Sequence, residues 1–134
     1  IRVSVGKAGT ETPTGTWTMH RAGRWQELMG PSWGQYGTHV VNGIFVHSVA
    51  CGQANSYNLP VGEYLRLGNP ASHGCIRACV ADAKWVWDNC NGSKIRIFDG
   101  TYTSNEALKG PLGRKALTPL RGSKNFDPTD PACK

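Results

Sequence analysis

The sequence predicts a mostly β domain with one main α-helix over about residues 80–90, and three observations carry that prediction. Short segments alternate apolar and polar residues with a period of two, as half-buried strands do. An Asn42-Gly43 pair stands between β-branched runs, the pattern that favours a two-residue hairpin turn. A single convincing segment, "ACVADAKWVWDNCNG" at residues 78–92, repeats its apolar residues at helical spacing.

Taken in order, residues 2–5 and 16–19 suit two short strands, and "TPTG" at residues 12–15 supplies the proline and glycine of a turn ahead of the second. Residues 25–36, "WQELMGPSWGQY", mix glycine and proline with aromatic side chains, which predicts a long loop of the kind that forms lids or binding walls. Trp33 and Tyr36 are its candidate substrate contacts. "VVNGIFVH" at residues 40–47 predicts a hairpin whose second arm turns Ile44 and Val46 to one side and Phe45 and His47 to the other. In the helix, Val80, Ala83, Trp87 and Cys90 share a face, and Gly92 supplies a left-handed stop. "KIRIFDG" then alternates as a last strand that turns at Asp99-Gly100.

A length of 134 residues with 39% apolar content fits one globular unit. The expected organisation is a catalytic domain over residues 1–100 and a basic tail over 101–134, interrupted by Pro and Gly, that packs on the domain or frays from it. No apolar run approaches the ~18 residues of a spanning helix, so a membrane enters only through an anchor upstream of Ile1, a start that reads as trimmed from something longer. The formal net charge of +6 comes from scattered basic residues. Without a basic helix or a recognition motif it predicts no nucleic-acid partner.

Chemistry concentrates in "SHGC", residues 72–75. Histidine and glycine add little volume to a packed core, whereas a thiol beside them suits reaction. Cys75 attacks a carbonyl carbon only as thiolate and therefore needs a nearby base. His73 is two residues away and points roughly parallel to it, while His47 approaches from another strand. The carbonyl of Ser48 is placed to hold one ring nitrogen of His47 so that the other faces sulfur. Gly74 permits unusual dihedrals, and the N–H groups of Gly74 and Cys75 are expected to converge on a developing oxyanion. The plainer alternatives are a buried Cys75, a core His47 bonded to a carbonyl, and a surface Arg77 paired with Asp82. Zinc is disfavoured by the absence of CxxC and HExxH spacing, and no cofactor is expected.

The segments "GIFVHS" (residues 43–48), "LGNPASHGCIR" (67–77) and "DAKWVWDNC" (82–90), with "TPTG", resemble the L,D-transpeptidase catalytic domain, the YkuD-type family, over nearly all of residues 3–99. The resemblance implies a β-sandwich-like L,D-transpeptidase catalytic fold that acts on peptidoglycan stem peptides, donor and acceptor, outside the cytoplasmic membrane of a bacterium. It implies Cys75 as nucleophile, His47 as general base and acid, Ser48 as the orienting carbonyl and Gly74 with Cys75 as oxyanion donors. Ser72, His73 and Arg77 would shape the pocket. The implied product is a 3→3 cross-link, with carbapenem β-lactams as inhibitors; an L,D-carboxypeptidase and a non-catalytic wall-binding module on the same fold stay open. Three departures stand out. Residues 49–66 are longer than the family pattern and predict an extra loop over the site. The family's first strands would precede Ile1. Arg77 stands where some members carry asparagine. Five cysteines leave at least one unpaired; with Cys75 free, Cys51, Cys79, Cys90 and Cys133 pair in three possible ways or stay reduced.

Overall fold

A computed structural model of the chain describes residues 1–99, 116–120 and 125–133. The Asp99-Gly100 turn and most of the tail expected over 101–134 lie outside these described residues.

The central sheet has four strands in the order β2-β5-β6-β7. Strands β5 (Thr38–Val41) and β6 (Ile44–Ser48) form the Asn42-Gly43 hairpin, and Asn42 takes the left-handed φ of 49° that the turn requires. Strand β7 (Ile76–Ala78) lies parallel to β6, and β2 (His20–Arg21) pairs with β5 on the other side. Strand β1 (Gly15–Thr18) forms a separate antiparallel pair with β8 (Lys94–Ile97). The strand expected over residues 2–5 is reduced to isolated bridges, Ser4 to Arg77 and Gly6 to Ser72. Its backbone divides its bonds among Arg77, Ala71 and Ser72 rather than following one partner.

The stretch 25–36 is a hairpin, not a loop: β3 (Trp25–Leu28) pairs antiparallel with β4 (Ser32–Gln35) around a turn at Gly30. Residues 49–66, expected as a loop, contain a second helix, α1 (Val61–Leu65). Five residues are too few to show a helical period in sequence; one completely buried side chain, Tyr64, anchors it among Val49, Leu59 and Leu67.

The main helix, α2 (Val80–Asn89), buries Val80, Ala83 and Val86 against the sheet. Its N-cap residue Cys79 makes no side-chain cap. The free N–H groups of its first turn are instead met from the far end of the chain, Val80 by the Asp127 carboxylate at 2.8 Å and Ala81 by Thr129 Oγ1 at 3.1 Å. Leu117 and Leu120 pack on the Tyr64 cluster, and Phe126 is buried. These described parts of the tail therefore close one edge of the domain. Met19, Val40, Val46, Ile76 and Val86 form the main core, between the sheet and α2. Among the described residues no helix is long and apolar enough to cross a membrane.

Candidate active site

His47 sits on β6 and Cys75 immediately precedes β7, and the parallel register sets His47 beside Arg77 and Val46 beside Ile76. Adjacent strands in register share their alternation, so His47, Cys75 and Arg77 lie on one face, with His47 and Cys75 diagonal neighbours about 8 Å apart at Cα. The two side chains border the same cleft of about 330 Å³, whose opposite wall is the β3–β4 hairpin through Glu27, Leu28 and Ser32.

The thiol is half-buried. Its sulfur accepts the Phe45 N–H at 3.4 Å and lies 3.6 Å from the Gly43 carbonyl. Burial raises the thiol above its ordinary range, and the Phe45 N–H and Arg77 offset only part of that. His47 is buried, with Nδ1 paired to the Ser48 carbonyl. A carbonyl only accepts, so Nδ1 carries the proton and Nε2 is left as a base. Burial pushes this imidazole down to about 4; the Ser48 bond opposes the shift and Arg77 adds to it. At neutral pH both groups are therefore uncharged.

Two supports of His47 have no motif to announce them. Gly34 on β4 passes so close that a Cβ there would lie 2.7 Å from Nδ1, so the wall accepts only glycine. Next to it, the Gln35 N–H donates to Ser48 Oγ at 2.8 Å, fixing the residue whose carbonyl holds the ring.

The SHGC turn is held by its own residues and by the segment 5–12. Ser72 Oγ donates to the Cys75 carbonyl at 2.6 Å and accepts the Gly74 N–H at 3.1 Å. Gly74 has φ of 125°, which an L side chain rarely adopts. Thr12 of "TPTG" donates to the Gly74 carbonyl at 2.7 Å and accepts the Gly6 N–H at 2.9 Å.

Several expected site residues take other positions. The Gly74 N–H, expected to face an oxyanion, is bonded to Ser72 Oγ. Ser72 borders the cleft but is 1% exposed and acts as the strut of the turn. Trp33 lies outside the cleft lining, since Ser32 and Gly34 take the inward positions of β4 and alternation turns Trp33 the other way. Tyr36 is a core residue, edge-on to Trp87 at 5.4 Å and under the Arg24 guanidinium at 4.1 Å. His73 lies exposed on the rim. Arg77 lines the cleft and pairs with Glu63 of α1 at 2.9 Å rather than with Asp82. All five cysteines are free thiols, and Cys51 is pushed up to about 11 by burial and the nearby Asp127 and Asp130.

A family model of the L,D-transpeptidase catalytic domain (YkuD) matches residues 1–115. A Bacillus subtilis (strain 168) protein named as an L,D-transpeptidase, YciB, is 59% identical over 27 residues, 20% of this chain and 14% of that protein. An L,D-transpeptidase from Mycobacterium tuberculosis H37Rv shares the fold with a TM-score of 0.58 at 23% identity, over 74% of this chain and 42% of its own. L,D-transpeptidase 3 from Mycobacterium tuberculosis, solved with a faropenem-derived adduct, aligns with a TM-score of 0.53 at 22% identity, over 74% and 44%. The chain thus spans less than half the length of each of these proteins. By the match across residues 1–115, the chain belongs to the L,D-transpeptidase catalytic domain family.

Proposed function

We propose that this domain is a cysteine acyltransferase, an L,D-transpeptidase that joins peptidoglycan stem peptides in 3→3 linkage outside the cytoplasmic membrane. The observation that carries the proposal is that His47 on β6 and Cys75 just ahead of β7 border one cleft as diagonal neighbours, with Nδ1 of the imidazole already engaged by Ser48.

As sulfur forms its bond to the carbonyl carbon of a tetrapeptide donor, His47 Nε2 takes the thiol proton and the carbonyl π pair moves onto oxygen. The resemblance gives the Cys75 N–H as a donor to that oxyanion, the Gly74 N–H being taken by Ser72 Oγ. The intermediate collapses to a thioester and expels the terminal D-alanine amine, which receives the proton from His47. A stem-peptide amine then attacks the thioester, His47 takes its proton, and the sulfur leaves and is reprotonated. The steps use only groups of the chain and its two substrates. Arg77 is suited to a stem-peptide carboxylate because its planar fork offers paired donors.

Support for the β-lactam arm comes from the Mycobacterium tuberculosis relative carrying a faropenem-derived adduct. Incubation with a carbapenem is expected to add one drug mass to the tryptic peptide 67–77, whose single cysteine is Cys75. An unmodified peptide after prolonged exposure overturns the nucleophile assignment. Feeding a tetrapeptide stem with and without an amine acceptor separates cross-linking from carboxypeptidase trimming.

A further inference from the structure

The His47 wall is tied to a part of the chain that lies beyond the family match. Gln35 is 3% exposed and its side-chain amide is gripped from both ends: Oε1 accepts from Arg24 Nη1 at 2.9 Å, and Nε2 donates to Asp130 Oδ2 at 3.0 Å. A guanidinium only donates and a carboxylate only accepts, so the amide has one orientation available. The main-chain N–H of the same residue donates to Ser48 Oγ, and the Ser48 carbonyl accepts from His47 Nδ1. Asp130 is itself set by the segment 125–133: its N–H donates to the Asp127 carbonyl, its Oδ1 accepts the Ala132 N–H at 2.8 Å, and Asp127 caps α2. Asp130, Gln35, Ser48 and His47 are all at least nine-tenths buried, so water offers these groups no substitute partners.

From this chain of contacts we propose that Gln35 and Asp130 are positioning residues, through which the C-terminal segment holds the imidazole of His47 on line with the Cys75 thiol. The inference rests on His47 and Cys75 being the reacting pair. A buried hydrogen-bond chain that ends on the orienting carbonyl converts a small shift at Asp130 into a rotation of the ring, and misplacement of about 1 Å at a reacting group costs up to ~100-fold in rate. The other charged or ionisable groups lining the cleft with His47 are Arg77 on β7, Cys75, His73 on the rim and Glu27 of the facing hairpin. None of them belongs to the chain Asp130–Gln35–Ser48.

The test follows alkylation of Cys75 by iodoacetamide, read on the tryptic peptide 67–77, against pH in wild type, Asp130→Ala, Gln35→Glu and the double variant Gln35→Glu/Asp130→Asn. Folding at each pH is checked by circular dichroism. The double variant reverses the polarity of the contact while keeping its shape: the new carboxylate accepts from both Arg24 and the new amide, whose oxygen still takes the Ala132 N–H. Each single change is expected to lower labelling at pH 7 about tenfold and to move the profile toward alkaline pH, where the thiol ionises unaided. The double variant is expected to return to within about threefold of wild type. Folded single variants with the wild-type rate and profile overturn the proposal, as does a double variant no faster than the slower single. If the single variants do not fold, Arg24→Met removes the half-buried anchor of the same amide; a fall of about threefold or more supports the proposal and an unchanged profile overturns it. A wild-type profile that already matches an isolated thiol removes the His47–Cys75 pair itself, and this inference with it.

Discussion

The two sides of the cleft are built on different principles. On the thiol side, the residues that shape the turn are neighbours in sequence: Ser72 spans to Cys75 and Gly74 bonds to Ser72, while one segment, residues 5–12, braces the turn from outside through Val5, Lys7, Thr10 and Thr12. On the imidazole side, every support of His47 except Ser48 is remote: Gly34 and Gln35 come from another hairpin and Asp130 from near the C-terminus. The SHGC turn thus draws on four consecutive residues and one bracing segment. The imidazole beside it depends on several separate parts of the domain, and loosening the domain should displace His47 before the turn.

The largest effect should come from the base itself. His47→Gln is expected to lower the rate of Cys75 acylation by a carbapenem by roughly 10³-fold, within the range for losing a general base. Because the half-buried thiol is already raised above its ordinary range, little thiolate would be present without it, and mass spectrometry over a time course reads the loss. A variant as fast as wild type would show that sulfur needs no partner here.

Next comes Gly34→Ala, which changes no reacting group. The added methyl would lie 2.7 Å from Nδ1 and 2.9 Å from Cγ of His47, so either β4 lifts or the ring rotates. A fall of about 100-fold in acylation is expected from the displaced base, together with about 1–3 kcal/mol of lost stability from overpacking. The matching change on the thiol side, Gly74→Ala, would strain the backbone at φ 125° and meet only the movable end of Ile44 at 2.6 Å. Comparable loss in the two variants would show both walls to be equally rigid.

The third contrast is between acid and alkali. His47 has a folded value of about 4 against an ordinary 6.5, so the unfolded chain takes up its proton first as pH falls. The stability gained by keeping it neutral is present above about 6.5 and drains away toward 4, a change of about 3 kcal/mol. The raised Cys75 thiol works in the other direction: above the ordinary thiol value of 9.0 the unfolded chain ionises first, and stability falls with rising pH. Cys51 adds to that alkaline loss. Urea midpoints measured from pH 4 to 7 in wild type and His47→Gln should differ in slope, and equal slopes would place the acid sensitivity elsewhere.

The same asymmetry explains what could be read from the sequence. The Asn42-Gly43 hairpin and the α2 helix were legible because each is decided by residues within one turn or a few turns of chain. The SHGC turn was legible for the same reason. Glycines in residues 25–36 suggested a loop, yet Gly34 is there because the His47 ring leaves no room for a side chain; that cause sits on another strand and leaves no local pattern. Only their aromatic chemistry marks Trp33 and Tyr36 as substrate contacts, while strand alternation and the Trp87 contact direct them away from the cleft. Glu63 and Asp130 carry no motif. Their partners, Arg77 and Gln35, are 14 and 95 residues away.

The smallest effect should fall on Thr12, one of several supports that residues 5–12 lend to the thiol side. Thr12 Oγ1 both donates to the Gly74 carbonyl and accepts from the Gly6 N–H, joining the first bridge of the chain to the SHGC turn. Thr12→Val keeps the shape and removes both bonds. It should cost about 1–2 kcal/mol, because two partly buried backbone groups lose a partner but the site lies near enough to solvent for water to replace part of it. Acylation should slow only about threefold, since Ser72 still spans the turn and Cys75 keeps its place before β7. If Thr12→Val instead matched Gly34→Ala in rate, the thiol side would depend on remote contacts as heavily as the imidazole side does.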